Sequence, residues 1–276
     1  MSDPRTNILV LGIDGLRLSI ALEDGVAATL SRLHAGGRST ELEMAVPTIS
    51  GPGWSTLLTG TTIAEHGVLD NTFVGHRLFA HPDLLSRAYY QDQSTRTFAA
   101  AGWPPLVSPI GLGPVIHQRI EQQKADLHRV IARDGETFGY AYADGQVHDY
   151  TRAALSRSAA PHVSFAYFSS VDEAGHLYGL LGPEYRDAVR ATDARIGSLV
   201  SCVEQRSAER DERWLVAVLT DHGHLDQGGH GGGTPEERAS FLLLWSPRGS
   251  DVVPELPDDL APEQVADLLL AQRRTR

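Results

Sequence analysis

The chain has 276 residues, a formal net charge of −11 from 24 basic and 35 acidic side chains, 41% hydrophobic residues and one cysteine. This composition suits one or two folded domains and excludes wholesale disorder. The acidic balance disfavours a broad nucleic-acid surface, and Cys202 alone builds neither an internal disulfide nor a cysteine-rich zinc site.

Met1–Asn7 lacks the charged start and apolar middle of a signal peptide, and no apolar run is long enough to span a bilayer. The expectation is a cytoplasmic protein with no membrane partner and no stable nucleic-acid partner. Lys124 is the only lysine, an arginine bias typical of GC-rich bacterial genomes.

Asn7–Ile13 is a nearly continuous apolar run, as in a strand buried on both faces of a parallel sheet. Ser19–His34 has helical spacing and stops at Gly36-Gly37. Glu41–Val46 reads as a strand, Pro47–Gly53 as a loop and Trp54–Leu58 as the first turns of a helix. Phe73–Asp144 is the least regular stretch and reads as a cap or insertion over the sheet edge. Within it, Arg96–Ala101 suggests a strand and Gln118–Ala132 a helix; Val147–Leu155 continues as helix. Val163–Ser169 and Trp214–Thr220 read as buried strands, Pro183–Val203 as a long amphipathic helix, Ser240–Trp245 as a last strand and Pro262–Gln272 as a last helix. Strands alternating with helices predict an α/β fold with a mostly parallel central sheet flanked by helices, in one domain over residues 1–276.

Three strand-like runs end at acids: Asp14, Asp172 and Asp221. Ligands of open α/β sheets bind at the carboxyl ends of strands. His176 lies four residues after Asp172, His222 adjoins Asp221, and His230 sits in a glycine-rich run. Each piece has a plain reading: Asp-Gly after a strand is ordinarily a turn, and an i, i+4 Asp/His pair is ordinarily a helix-surface pair. Recurring at three strand ends, the six Asp/His groups favour a divalent metal site instead, with zinc as the natural ion for imidazole and carboxylate donors. Ser50, in Pro47-Thr48-Ile49-Ser50-Gly51-Pro52, stands where a strand gives way to a helix. It is either an N-cap or a nucleophile.

The ordered set of Asp14, Pro-Thr-x-Ser50-x-Pro, Thr59-Gly60, His66-Gly67 through Asn71, Asp172-x-x-x-His176, Asp221-His222-Gly223 and His230 resembles the alkaline phosphatase superfamily. Its nearest branch is the type I phosphodiesterase/nucleotide pyrophosphatase family. The resemblance implies an alkaline phosphatase-like fold and two divalent metal ions, Zn2+ with Mn2+ as the alternative. Asp172, His176 and His230 would hold one ion, and Asp14, Asp221 and His222 the other. Ser50 would bridge to the second ion and attack phosphorus, forming a phosphoserine that water then hydrolyses. Asn71 would bind a phosphoryl oxygen. Thr48 is the fallback nucleophile, and Arg17, Trp54 and His224 are candidates for lining the site. The implied partner is a small phosphoester; oligomeric state stays open.

Two departures bear on substrate. Gly51 stands where nucleotide pyrophosphatases place an aromatic that stacks on the base, and the chain is shorter than typical members. A phosphomonoesterase is therefore the alternative to a phosphodiesterase, and would need an added cation, for which Arg17, Arg87 and Arg96 are candidates. Trp54 replaces the arginine of the sulfatase motif, which makes a sulfatase a poor third reading. A non-catalytic metal-binding module is the other-class rival, which a Ser50→Ala variant would separate from an enzyme.

Overall fold

The structure is a computed structural model and describes residues 5–111 and 113–273. The signal-peptide reading of the first residues falls partly outside that span.

Along the first strand, β1 (Asn7–Ile13), side chains alternate between two cores: Ile8 and Val10 enter one, Leu9, Leu11 and Ile13 the other. A strand apolar on both faces needs cover on both. The further strands are β2 (Arg38–Glu43), β3 (Thr97–Ala101), β4 (His128–Ala132), β5 (Val163–Phe168), β6 (Trp214–Leu219) and β7 (Ala239–Trp245). They form one sheet in the order β2-β7-β6-β1-β5-β3-β4. Only β7 runs against its neighbours, so the mostly parallel α/β architecture is as expected.

The helices are α1 (Leu18–Ala21), α2 (Ala28–Gly36), α3 (Ser50–Thr59), α4 (Ile63–His66), α5 (Leu84–Gln91), α6 (Pro104–Val107), α7 (Ile120–Lys124), α8 (Gly135–Phe138), α9 (Tyr140–Ser156), α10 (Ser170–Tyr178), α11 (Pro183–Arg210), α12 (Pro235–Arg238) and α13 (Val265–Ala271). One core takes Trp54 and Leu57 of α3, Leu84 and Leu85 of α5, and Leu269 of α13. The other takes Leu30 of α2, Val147 of α9, Val171 of α10 and Ile196 and Leu199 of α11. None of the described helices is long and apolar enough to cross a membrane.

Several boundaries differ from the sequence reading, each for a physical reason. The Ser19–His34 helix is two helices, interrupted around Gly25, whose φ is +75°. The buried Asp193 of α11 caps α2 from outside, accepting from the N–H groups of Thr29 (2.9 Å) and Leu30 (2.8 Å). Gln118–Ala132 is helical only over Ile120–Lys124; its second half is the edge strand β4, paired along its length with β3. The β-branched Val130 and Ile131 suit an edge strand as well as a helix, and only the pairing decides. The stretch 73–144, expected as a cap, supplies both β3 and β4 to the sheet itself. The Glu41–Val46 strand is shifted to Arg38–Glu43 by its register with β7. α3 begins at Ser50, four residues before the expected start, because Pro52 sits in the first turn, where proline is tolerated.

Candidate functional site

β6, β1 and β5 are parallel neighbours, so their carboxyl ends emerge side by side. β1 delivers Asp14 at its end. β6 delivers Asp221 and His222 just past Thr220. β5 delivers Asp172 from the first turn of α10, with His176 one turn on. Ser50, the first residue of α3, comes to the same place, 93% buried.

Asp14 is fully buried, and its two oxygens have different duties. Oδ2 accepts from Trp54 Nε1–H at 2.9 Å and from the Tyr167 hydroxyl at 2.5 Å. Oδ1 faces Ser50 Oγ at 3.5 Å and His222 Nε2 at 3.4 Å. Trp54 can reach beneath Asp14 because Gly12 leaves room: a Cβ there would lie 2.6 Å from the indole ring. The indole is therefore a buried support for Asp14, not an exposed stacking surface. Tyr167 was not singled out from sequence. The available signal was a polar tip on a buried strand, set beside Gly12 in the β1–β5 register.

His222 Nε2 also lies 3.3 Å from Asp221 Oδ2 and 3.4 Å from Ser50 Oγ. Its Nδ1 meets Gly223 O at 3.1 Å, which assigns the proton to Nδ1 and leaves a lone pair on Nε2. Beside this group, His230 Nε2 is 3.5 Å from Asp172 Oδ1 and 2.9 Å from His176 Nε2, and His176 Nε2 is 3.5 Å from Asp172 Oδ2. The His222 and His230 rings stack at 3.7 Å.

These donors fit divalent metal ions. Two ligands of a tetrahedral ion with bonds of about 2.0–2.1 Å stand about 3.3 Å apart. The separations of 3.3–3.5 Å match that spacing and are long for hydrogen bonds. Asp221 Oδ2 is buried with no hydrogen-bond partner, a costly state for a carboxylate unless a cation answers it. Burial, and then the neighbouring Asp172 carboxylate, push the Asp14 carboxyl up to about 6. Burial and the charges of Asp14 and Asp172 push Asp221 well above the usual carboxylate range. Burial holds His222 well below the usual imidazole range, so it is neutral and able to ligate. Two convergent groups result: Asp14, Asp221 and His222, and Asp172, His222, His224 and His230. His176 joins the second through the distances above. His224, expected only to line the site, is part of the cluster.

Thr48 is not poised as a nucleophile. Its hydroxyl donates to Gly232 O at 2.9 Å and accepts from Gly231 N–H at 3.0 Å. Asn71 Oδ1 accepts from Gly51 N–H at 2.7 Å, which leaves its Nδ2 as a donor. A Cβ on Gly51 would lie 2.8 Å from Asp70 O and 3.0 Å from Asn71 Oδ1, so no side chain fits there in this arrangement. The three arginines considered for a phosphate are engaged elsewhere: Arg17 with Asp226, Arg87 with Asp267, and Arg96 with Ala160 O and the His162 ring.

A family model described as type I phosphodiesterase / nucleotide pyrophosphatase matches residues 8–228. The chain belongs to this family. An uncharacterized pyrophosphatase/phosphodiesterase of Schizosaccharomyces pombe is 22% identical over 231 residues, covering 79% of this chain and 45% of that protein. Phosphonoacetate hydrolase of Sinorhizobium meliloti, solved with phosphonoformate, superposes with a TM-score of 0.59 at 16% identity, over 80% of this chain and 57% of its own. An inactive murine ectonucleotide pyrophosphatase/phosphodiesterase 5 in complex with AMP gives 0.56 at 17% identity, over 79% and 57%. At these identities the two solved structures share the fold. The chain spans less than half the length of the curated type I phosphodiesterase/nucleotide pyrophosphatase relatives it matches.

Proposed function

We propose that the protein is a metal-dependent phosphoester hydrolase that prefers diesters and acts through a phosphoserine on Ser50. The observation that carries this reading is the meeting of Asp14 and His222 with the Ser50 hydroxyl, with Asp221, Asp172, His176 and His230 gathered beside them at ligand-like spacing. Family membership supports it.

Asp14, Asp221 and His222 would hold one divalent ion, and Asp172, His176 and His230 a second; zinc suits this donor set, with manganese the alternative. When bound, the ions supply positive charge that lowers the pKa of the attacking hydroxyl and stabilises charge on the phosphoryl oxygens. Ser50 Oγ gives its proton to solvent and attacks phosphorus; the P–O bond on the opposite side breaks, and the leaving alkoxide takes a proton from water to depart as the alcohol. Water then cleaves the phosphoserine and regenerates the hydroxyl. Asn71 Nδ2 donates to a non-bridging oxygen, held for that purpose by its bond to Gly51. The start of α3 points its partial positive charge at the same region.

The engagement of Arg17, Arg87 and Arg96 favours the diester, whose single charge needs no added cation, over a monoester. The crowding at Gly51 weighs against a stacking platform after the nucleophile, and so favours diesters recognised without base stacking.

The test is zinc-loaded protein assayed on bis-nitrophenyl phosphate and nitrophenyl phosphate, with Ser50→Ala alongside. The expected result is diester preference, a loss of about a thousandfold or more in Ser50→Ala, and metal content near two per chain in both proteins. Monoester preference would move the reading to a phosphatase. Turnover surviving in Ser50→Ala would remove Ser50 as nucleophile.

A further inference from the structure

We infer that His224 is a positioning residue that holds the Asp172 carboxylate in place for an ion, without being a ligand itself; this rests on the metal reading of the site. The separation, the tautomer and the packing of the ring together point to this role. His224 Nε2 is 2.7 Å from Asp172 Oδ1, well inside the 3.3–3.5 Å that separates the Asp–His pairs of the site. It is shorter even than the 2.9 Å between the Nε2 atoms of His176 and His230, and a charge-assisted hydrogen bond accounts for it.

The ring is fully buried and locked in a slot between two glycines. A Cβ on Gly15 would lie 2.6 Å from His224 Nε2, and one on Gly175 would lie 2.9 Å from Cε1. Gly15 also has a φ of +62°, the left-handed region that favours glycine. The slot joins the turn after β1 to α10, which carries Asp172. His224 Nδ1 is buried without a partner. An unpaired lone pair is easier to bury than an unpaired N–H, which assigns the proton to Nε2, the atom facing Asp172. Arg17 steadies the segment from outside, with its guanidinium 3.4 Å from His224 O and 2.6 Å from Asp226 Oδ1. Held by His224, the Asp172 carboxylate keeps Oδ2 3.5 Å from His176 Nε2 and Oδ1 3.5 Å from His230 Nε2. Histidine serves here as a flat N–H donor between two glycine backbones; an ionised carboxylate has no N–H to give, and a lysine is not flat.

The experiment compares metal-free full-length wild type with His224→Phe and His224→Gln. Zinc affinity is read by competition with a chromophoric chelator, and the melting temperature of each metal-free protein is recorded. Wild type is expected to take two zinc ions. His224→Phe is expected to weaken one of the two by about ten- to hundredfold and leave the other unchanged. His224→Gln keeps an N–H donor but is a poor zinc ligand, and is expected to recover most of that loss. Unchanged zinc affinity in His224→Phe would overturn the proposal. So would a His224→Gln as weak as His224→Phe, which would make the imidazole a ligand. A parallel fall in metal-free melting temperature and affinity in both variants would make His224 a packing residue and also overturn it. Wild type that binds no zinc would remove the metal reading itself.

Discussion

The carbonyl oxygen of Thr48 meets Nδ1 of His230 at 2.7 Å. A carbonyl can only accept, so His230 carries its proton on Nδ1 and turns the Nε2 lone pair toward Asp172 and His176. The same residue clamps the glycine loop through its hydroxyl, on Gly231 and Gly232. Glu237 completes the clamp by accepting from Gly232 N–H at 2.7 Å and closing a capping box with Thr234.

Thr48→Val removes the hydroxyl while keeping shape, and leaves Gly231 N–H and Gly232 O without that partner. Zinc affinity at the His230 site should fall by about tenfold, whereas Thr48→Ser should stay near wild type. Chelator competition on the two variants checks this; equal affinity in Thr48→Val and wild type would count against the clamp.

Tyr167→Phe removes one of the two donors on Asp14 Oδ2. A hydrogen bond to a charged group is worth about 1.5–3 kcal/mol, so metal-free protein should lose stability of that order in denaturant titration. The Asp14 site should also bind zinc more weakly. Trp54→Phe should act in the same direction, with added loss from an indole-sized gap beside Phe165 and Tyr167.

Gly51→Ala forces a methyl against Asp70 O and Asn71 Oδ1. The Asn71 loop must shift, which misplaces the Asn71 amide proposed to bind the phosphoryl group without touching the Asp/His cluster. Steady-state kinetics should show kcat/KM down by about ten- to hundredfold with metal content unchanged. A loss of metal instead would place Gly51 in the architecture of the ion sites.

Acid should destabilise the fold through three histidines outside the site. His66, His128 and His162 are each lowered to about 4, mainly by burial. Each accepts through Nδ1: from Val68 N–H, from the Arg119 guanidinium and from Arg96 N–H. Between about pH 6.5 and 4 the unfolded chain takes up protons that the folded chain refuses, so stability falls as pH falls through that window. Melting temperature measured in chelator should drop across it, and the slope should lessen when His128, the one of the three on β4, is replaced by Gln.

The donors were legible in the sequence because each is a local event: an acid or histidine immediately past an apolar run, or one helical turn into the next element. Asp14, Asp172, His176, Asp221 and His222 sit this way, and His230 stood out as the histidine of a glycine-rich run. The apolar runs themselves announced β1, β5, β6 and β7. Elements whose state depends on a partner were not legible. β4 was taken for helix because Val130 and Ile131 suit either period until β3 lies beside them; within 73–144 the sequence showed β3 as Arg96–Ala101, but not that the stretch belongs to the sheet rather than to a cap or insertion over its edge.

Residue type and order along the chain therefore determined the fold class and the chemical character of the site. The tertiary structure decided which atoms meet. Parallel pairing of β6, β1 and β5 sets three strand ends side by side. That pairing gives Asp14 its support from Trp54 and Tyr167, binds Thr48 to the glycine loop and slots His224 behind Asp172. Those contacts join residues from 40 to 184 positions apart. Local periodicity carries no information at that range; packing and the need to satisfy buried polar groups select the partners.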